Sequence, residues 1–377
     1  MTRASVLLVA NYDSGVGYAW WLMESFWVAM AEHYAAQGRS VLLAYPSISK
    51  LPEAISVAPL KVEVTNFAAT NWSNVWRQLI YLRRHRVALV YLSDATPLHW
   101  RYALFRFAGV GRIVIHDHSP GARPRAVGWK HLLKRAIYTP RLLTADAYFG
   151  ASEYIRRRLV ESTCIPRKRC FAIPNGLPPA EYVEAVDLSA RFGIPAGRVV
   201  IVMTARATRY KGIGFAIECI AQVVHQERVD LHLLLCGDGP HIGEFQQLAA
   251  SLGVQTRVTF AGKQNGIPGI LKSCHIAFHP SQGEVGYSLS ILEYMRAGLP
   301  VIVPDNPSVC GATRDRIDGL VYPEGNSGAA CAAIVQLATN VDMRTKLGTA
   351  GAQSVEDRYR LTDTHGALLN ALASVYP

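Results

Sequence analysis

The sequence predicts an α/β protein made of two doubly wound domains, and three observations predict it. Short runs rich in Val, Ile and Leu recur along the 377 residues, with helical patterns between them. The runs are continuous rather than alternating, as in parallel strands covered on both faces. The series also restarts after the Pro-, Gly- and Ala-rich stretch 175–198.

In the first series the runs are "SVLLVA" (5–10), "SVLLAY" (40–45), "VALVYLS" (87–93), "RIVIHDH" (112–118), "AYFGAS" (147–152) and "CFAIPN" (170–175). Helical patterns at 19–37, 74–86 and 152–162 separate them. The helix over 19–34 is apolar nearly all round. One stripe carries Trp20, Met23, Trp27 and Met30, the other Ala19, Leu22, Phe26 and Ala29, which reads as a buried helix. The second series is "VVIVMTA" (199–205), "LHLLLCG" (231–237), "RVTFAG" (257–262), "IAFHP" (276–280), "PVIVP" (300–304) and "GLVYP" (319–323). A boundary near 178–196 divides the chain into a domain at 1–185 and a domain at 196–353. The helical stretch 354–377 is expected to cross back onto the first. A ligand cleft is expected between the strand C-terminal ends.

Composition narrows the class. Half the residues are hydrophobic and 18% are charged, enough apolar material for full cores and unlike a disordered chain. Seven cysteines, an odd number with no C-x-x-C pair, argue against a disulfide framework or a structural zinc site and favour a reducing compartment. "SVLLVA" is too short for a signal peptide, and "GYAWWLMESFWVAM" is too short to span a bilayer and contains Glu24. The expectation is a cytoplasmic protein without a transmembrane segment. Charge is uneven: residues 1–190 hold 23 Lys/Arg against 13 Asp/Glu, and the remainder 16 against 15. A basic first half points to an anionic partner. It is not interleaved with a recognisable RNA or DNA module, so no nucleic acid is expected.

The chemistry concentrates in "SQGEVGYSLSILEYMRAGLPVIVP" (281–304). Ser288 is an N-cap candidate, Leu289, Leu292 and Met295 mark one helix face, and Gly298 and Pro300 end it. The helix start after "GEVGY" is a ready anion site, where Gly286 permits close backbone approach. Glu293 lies roughly 7.5 Å further along the helix. It suits ribose hydroxyls, while Glu284 before the turn suits a hydroxylated group on the other side. Upstream, "ARATRYKG" (205–212) follows a strand and carries Arg206 and Lys211, two cations able to neutralise a departing diphosphate. "CGDGP" (236–240) is a glycine turn, and "TFAGKQNGIPGILKSC" (259–274) contains a strand, Gly262 and a helix start near Pro268.

In order and spacing, R-x4-KG, GDGP, the strand with Gly262, "HPSQGE…LSILEYMRAGLPVIVP" and "GLVYP" resemble the C-terminal domain of the GT-B-fold, family-4 retaining glycosyltransferases. The resemblance covers 199–345. It implies two Rossmann-like domains facing each other across a cleft, a nucleoside-diphosphate sugar donor, no cofactor, and transfer without a metal. By the same resemblance Arg206 and Lys211 bind the diphosphate and Glu293 the ribose. Glu284 with Gly286, Tyr287, Ser288 and Leu289 contacts the transferred sugar, and Lys263 lies near the base. The family's two acids are separated by seven residues, whereas eight lie between Glu284 and Glu293, and Val285 stands in strict register. Either the turn carries one extra residue and Glu284 keeps the role, or the sugar contact has changed. The first is favoured, because a glycine turn absorbs an insertion more easily than a helix.

In the first domain, "NYDSGVGYAW" (11–20), with Gly15 and Gly17, resembles the family's glycine loop near donor phosphates and acceptor, without the usual glycine pair. "IVIHDHS" (113–119) ends a strand, and by position His116 resembles the histidine beside the transferred sugar, with Asp117 and His118 in reserve. H-D-H alone supplies too few ligands for a metal. The resemblance implies a front-face path in which the leaving phosphate helps deprotonate the acceptor. The acceptor is expected to be a lipid-linked sugar or glycan in cell-surface polysaccharide assembly. Clusters such as "RPRAVGWKHLLKR" (123–135) lead to the expectation of peripheral docking on an anionic membrane surface. The alternatives are a GT-B nucleotide-sugar epimerase or hydrolase, and a non-catalytic polyanion binder.

Overall fold

The computed structural model describes residues 5–17 and 20–376. The chain divides into two compact units. One comprises Met1–Ser119, Arg123–Asn175 and Thr362–Pro377, the other Pro120–Ala122 and Gly176–Leu361. Residues 176–185, assigned to the first domain on sequence, therefore go with the second unit.

The first unit runs β1 (Ser5–Val9), α1 (Trp20–Ala36), β2 (Val41–Tyr45), α2 (Glu53–Ser56), β3 (Lys61–Val64), α3 (Trp72–Arg84), β4 (Val87–Ser93), α4 (Arg101–Phe107), β5 (Arg112–Asp117), α5 (Gly128–Tyr138), β6 (Ala147–Gly150), α6 (Glu153–Glu161) and β7 (Cys170–Ala172). Its seven strands lie in the order β3-β2-β1-β4-β5-β6-β7, with every pair parallel. The sequence reading missed β3. "KVEV" is an edge strand with two charged side chains, so it carries no apolar run, and no position in it is fully buried. Helix α1 is the buried helix expected: Leu22, Met23, Phe26, Trp27, Ala29 and Met30 are all in the core. Ala19 of that reading lies outside the described residues.

The second unit runs α7 (Leu188–Phe192), β8 (Val199–Thr204), α8 (Ile213–Gln222), β9 (Leu231–Cys236), α9 (Ile242–Ser251), β10 (Val258–Gly262), α10 (Ile267–Lys272), β11 (Ile276–Phe278), α11 (Leu289–Arg296), β12 (Val301–Pro304), β13 (Gly319–Tyr322), α12 (Ser327–Thr339) and α13 (Val341–Arg358). Its six strands, again parallel, follow β10-β9-β8-β11-β12-β13. The core is aliphatic, built from Ile201, Met203, Ile217, Leu233, Leu235 and Ile302 among others. Order reverses about β8, whose neighbours β9 and β11 continue in opposite directions. Loops leaving such a switch point diverge and open a crevice at the strand C-terminal ends.

The C-terminal stretch read as one crossing helix is two. Helix α13 ends at Arg358 within the second unit, and α14 (Leu361–Val375) belongs to the first. Between them Leu177 N donates to Tyr359 O and Leu361 N to Leu177 O, each at 2.8 Å. Those extended-chain bonds draw residues 359–361 out of helical geometry.

Candidate functional site

The loops after β8 and β11 meet at the second unit's switch point because two glycines leave room for them. Gly212 has φ +74°, and a Cβ there would sit 2.0 Å from Pro280 O. Only glycine lets the 209–212 turn lie on the "HPS" backbone. Gln282 N then donates to Tyr210 O at 2.8 Å. On the other side, a Cβ on Gly237 would lie 1.9 Å from Ala205 O, and Ala207 N donates to Asp238 O at 3.0 Å, so the "GDG" turn packs on the loop carrying Arg206.

This packing brings Lys211 and Glu284 together. Lys211 Nζ lies 2.5 Å from Glu284 Oε1, and the same oxygen lies 2.9 Å from His279 Nε2. Both the lysine and the acid are largely buried. Burial alone would raise the carboxyl's pKa. The Lys211 charge and the hydrogen bonds from His279 and Lys211 outweigh it and hold the group at about 2. To serve the carboxylate, His279 Nε2 must carry a hydrogen; its Nδ1 is buried with no partner among the described residues. Nε2 also lies 3.3 Å from Ser288 Oγ, which links the acid to the helix cap. His279 was quoted within the motif but given no role on sequence, since its function depends on a contact five residues along the loop. The acid beside Lys211 is thus Glu284.

Ser288 caps α11 as read: its Oγ accepts from Ile291 N at 3.2 Å. Gly298, with φ +78°, ends the helix. Ser290 Oγ donates to Thr204 O at 3.0 Å, and Tyr294 OH accepts from Thr204 N at 2.5 Å, pinning α11 to the end of β8. Sequence reasoning missed these positioning residues, because a serine and a tyrosine on a helix carry no signal of a cross-strand partner.

The turn itself is less open than the sequence suggested. Gly286, at φ +107°, donates its N–H to Ser308 O at 2.7 Å, and its carbonyl accepts from Gly311 N at 2.8 Å. Its amide is therefore committed inside the fold. Tyr287 is buried, its ring 5.1 Å from that of Tyr359. With Ile291 N capped, the N–H groups of Leu289 and Ser290 are the first-turn donors without a partner among the described residues.

Arg206 is exposed, and its guanidinium has no partner among the described residues. Glu293 is half-buried without an ion pair among them, and burial pushes its carboxyl up to about 7 despite the nearby Arg296 charge. Lys263 is exposed on the loop after β10, following Gly262 at φ +66°.

The first unit's candidates sit differently. Order there reverses about β1, between β2 and β4. Gly15 N donates to Asp13 Oδ1 at 2.8 Å, Ser47 Oγ donates to Asp13 Oδ2 at 2.7 Å, and Gly17 takes φ +73°. The loop is thus closed on an aspartate. His116, at the end of β5, exposes no surface. Its Nδ1 lies 2.5 Å from Tyr91 OH, and its ring stacks on Phe26 at 5.3 Å. Burial, then the neighbouring His118, holds its pKa well below the usual histidine range. His118 keeps a 15% exposed side chain. Its backbone N–H donates to Asp94 Oδ1 at 2.6 Å. Asp117 is paired with Arg158 at 3.0 Å. At the strand end His118 is the more exposed of the two, but both its ring nitrogens are buried without a hydrogen-bond partner among the described residues.

Comparison with known proteins follows the same division. The sequence model described as Glycosyl transferases group 1 matches residues 187–354, and that described as Glycosyltransferase Family 4 matches residues 23–181. The putative glycosyltransferase EpsF of Bacillus subtilis is 27% identical over 206 residues, 53% of each chain. A GDP-mannose-dependent alpha-(1-6)-phosphatidylinositol monomannoside mannosyltransferase of Mycobacterium tuberculosis is 23% identical over 293 residues, 74% of each chain. In the first curated relatives it matches, the chain spans about half of their length. The crystal structure of Anabaena HepE with UDP-glucose aligns with a TM-score of 0.75 at 16% identity, covering 99% of this chain and 100% of that one. With both parts of the chain matched by glycosyltransferase families and both sheets matched in a solved fold, the chain belongs to the GT-B glycosyltransferases of family 4.

Proposed function

We propose that the chain transfers a sugar from a nucleoside-diphosphate sugar to a lipid-linked sugar or glycan in cell-surface polysaccharide assembly. In this reading transfer proceeds with retention of anomeric configuration and without a required metal ion. The supporting observation is the set of groups at the β8/β11 switch point: unpartnered Arg206, Lys211 held by buried Glu284, and two open amides at the start of α11. Arg206, Lys211 and the Leu289 and Ser290 amides take the diphosphate, placing fixed positive charge where negative charge develops as it leaves. Glu293 accepts the ribose hydroxyls. Glu284, already short of free hydrogen-bonding capacity on Oε1, offers Oε2 to the transferred sugar. Lys263 borders the base through its backbone, and Gly286 shapes the turn.

The bond between the anomeric carbon and the phosphate oxygen breaks as the bond to the acceptor oxygen forms on the same face. The acceptor's proton passes to the leaving phosphate. The first unit serves the acceptor through its glycine loop at Gly15 and Gly17, and the carbon edge of His118, backed by His116, offers packing rather than a hydrogen bond. A lipid-linked acceptor is favoured by the mycobacterial relative, whose name gives phosphatidylinositol monomannoside as its acceptor. The basic excess of residues 1–190 adds to it and supports peripheral docking on an anionic cytoplasmic membrane face. Among the described residues no helix is long and apolar enough to cross a membrane.

A panel of UDP-, GDP- and ADP-sugars screened by thermal unfolding tests this reading. A donor at 100-fold over its dissociation constant adds about 2.7 kcal/mol of stability. Absence of a shift with every nucleotide sugar would overturn it.

A further inference from the structure

Helix α5 is anomalous among the helices of the first unit: none of its residues is buried. Its apolar side chains nevertheless follow a helical stripe. Trp129, Leu132, Leu133, Ala136 and Ile137 recur at i, i+3, i+4, i+7 and i+8, the spacing that normally faces a core. Here Trp129 is 68% exposed, Leu132 71%, Leu133 51% and Ile137 42%. Val127 before the helix and Leu142 beyond it are exposed as well. An 11-residue helix is marginal in water unless its apolar face is packed. What holds α5 to the unit is polar. Lys134 Nζ donates to Ser162 O at 2.7 Å, and Arg169 donates to the carbonyls of Tyr138 and Thr139 at 3.0 and 3.1 Å.

Within the segment that carries the stripe the charge has one sign. Between His118 and Ala145 the chain carries Arg123, Arg125, Lys130, Lys134, Arg135 and Arg141 and no Asp or Glu. The neighbouring acids are already engaged, Asp117 with Arg158 at 3.0 Å, Asp146 with Arg106 at 2.9 Å and Arg141 at 3.9 Å, and Glu161 with Arg125 at 4.0 Å. A second copy of this chain laid face to face on α5 would oppose cations with cations. A polynucleotide would satisfy the charges but leave the tryptophan and leucines in water. An anionic bilayer satisfies both, with headgroups for Lys and Arg and the acyl boundary for the apolar stripe.

We propose that α5 is the membrane-inserting element of this protein. It lies in the plane of an anionic lipid surface with Trp129, Leu132, Leu133 and Ile137 in the acyl boundary. Lys130, Lys134 and Arg135, with Arg123, Arg125 and Arg141 nearby, meet the headgroups. This deepens the peripheral-membrane part of the proposed function and rests on it. Helix α3 extends the same kind of surface, with Trp72, Trp76 and Ile80 exposed at i, i+4 and i+8 and Trp72 stacked on Trp100 at 5.7 Å. Successive crossovers from β3 to β7 run in one direction, so right-handedness puts α3 and α5 on one face of the sheet.

The test is flotation of the full chain with vesicles of phosphatidylcholine alone and of phosphatidylcholine with half phosphatidylglycerol, at low and high salt. Three proteins are compared: the wild type, a Trp129→Ser, Leu132→Ser, Leu133→Ser variant, and a Lys130→Gln, Arg135→Gln variant that leaves the Lys134 anchor in place. Since α5 buries nothing, both variants should fold, and circular dichroism and nucleotide-sugar thermal shifts should match the wild type. The expected result is wild-type binding to the anionic vesicles only. The serine variant should lose at least tenfold in partitioning, and the glutamine variant about fivefold per charge removed, with weaker salt dependence. Wild-type protein that stays unbound at low salt would overturn both this proposal and the peripheral-membrane reading. Equal binding by wild type and serine variant would overturn the assignment to α5 while leaving that reading intact. A concentration-dependent dimer abolished by the serine variant, with no vesicle binding, would give the face to a second copy and overturn the proposal.

Discussion

The two sheets reverse strand order in the same way, yet they furnish their switch points with different chemistry. About β8 the second unit gathers charge: Lys211 on Glu284, Arg206 left open, and Glu293 shielded but unpaired. About β1 the first unit ties its groups down. Asp13 is held below the usual carboxylate range by hydrogen bonds from Ser49 and Ser47, and on nearby β5 burial keeps the His116 and His118 imidazoles toward the neutral form. The second unit leaves an exposed cation without a partner among the described residues, whereas the first holds Asp13 in internal hydrogen bonds. Under the proposed function that contrast is a division between a diphosphate donor and a sugar acceptor.

Removing the central cation should produce the largest effect. Lys211→Ala leaves Glu284 buried without its counter-ion, which typically costs about 3–5 kcal/mol. Both melting temperature and turnover should fall. Adding Glu284→Gln should restore much of the stability, because the unpaired charge is gone, while turnover stays low. The wild-type pair also sets an acid limit. Glu284 is held at about 2 in the fold, so its stabilisation is complete above the ordinary value near 4.5 and is lost as pH falls toward 2. Acid unfolding of wild type and Glu284→Gln followed by circular dichroism checks this.

Arg206 should separate function from stability. Arg206→Ala removes an exposed, unpartnered side chain, so melting should be unchanged. Loss of a preorganised charge donor should cut turnover roughly 10²–10³-fold. Equal damage to stability would erase the contrast drawn between the two cations.

Glu293 sharpens the comparison through pH. Burial raises it to about 7, so the ionised form is lost as pH falls below that value. If the carboxylate accepts ribose hydroxyls, donor affinity should weaken by up to about tenfold from pH 8 to pH 6, and Glu293→Gln should flatten the profile. Calorimetric titration at several pH values measures it. The smallest effect expected is that of Ser290→Ala, which removes one hydrogen bond from α11 to Thr204 O and should cost about 1 kcal/mol of stability.

Much of the second unit was readable from residues alone, for a physical reason. Cations, acids and glycines at fixed offsets are expensive to bury or strain, so they mark the loops that need them. Gly212 and Gly237 proved to be places where no side chain fits. The cap at Ser288 and the stop at Gly298 followed from local backbone chemistry. The contacts that depend on tertiary packing were not readable: His279 on Glu284, Tyr294 on Thr204, and Gly286 N–H on Ser308. The same limit explains the first unit. His116 and His118 look alike two residues apart in sequence and both stack on Phe26, but His116 exposes no surface while His118 keeps a 15% exposed side chain. Edge strand β3 stayed hidden because its charged side chains break the apolar pattern.

The central claim is that the charged switch point of the second unit binds a nucleoside-diphosphate sugar through Arg206. Calorimetric titration of wild type and Arg206→Ala with UDP-glucose and GDP-mannose tests it most directly. The expected result is binding of at least one donor to the wild type, weakened in Arg206→Ala by about 1.5–3 kcal/mol, the range for a hydrogen bond to a charged group. Undiminished donor affinity in a correctly folded Arg206→Ala variant would contradict it.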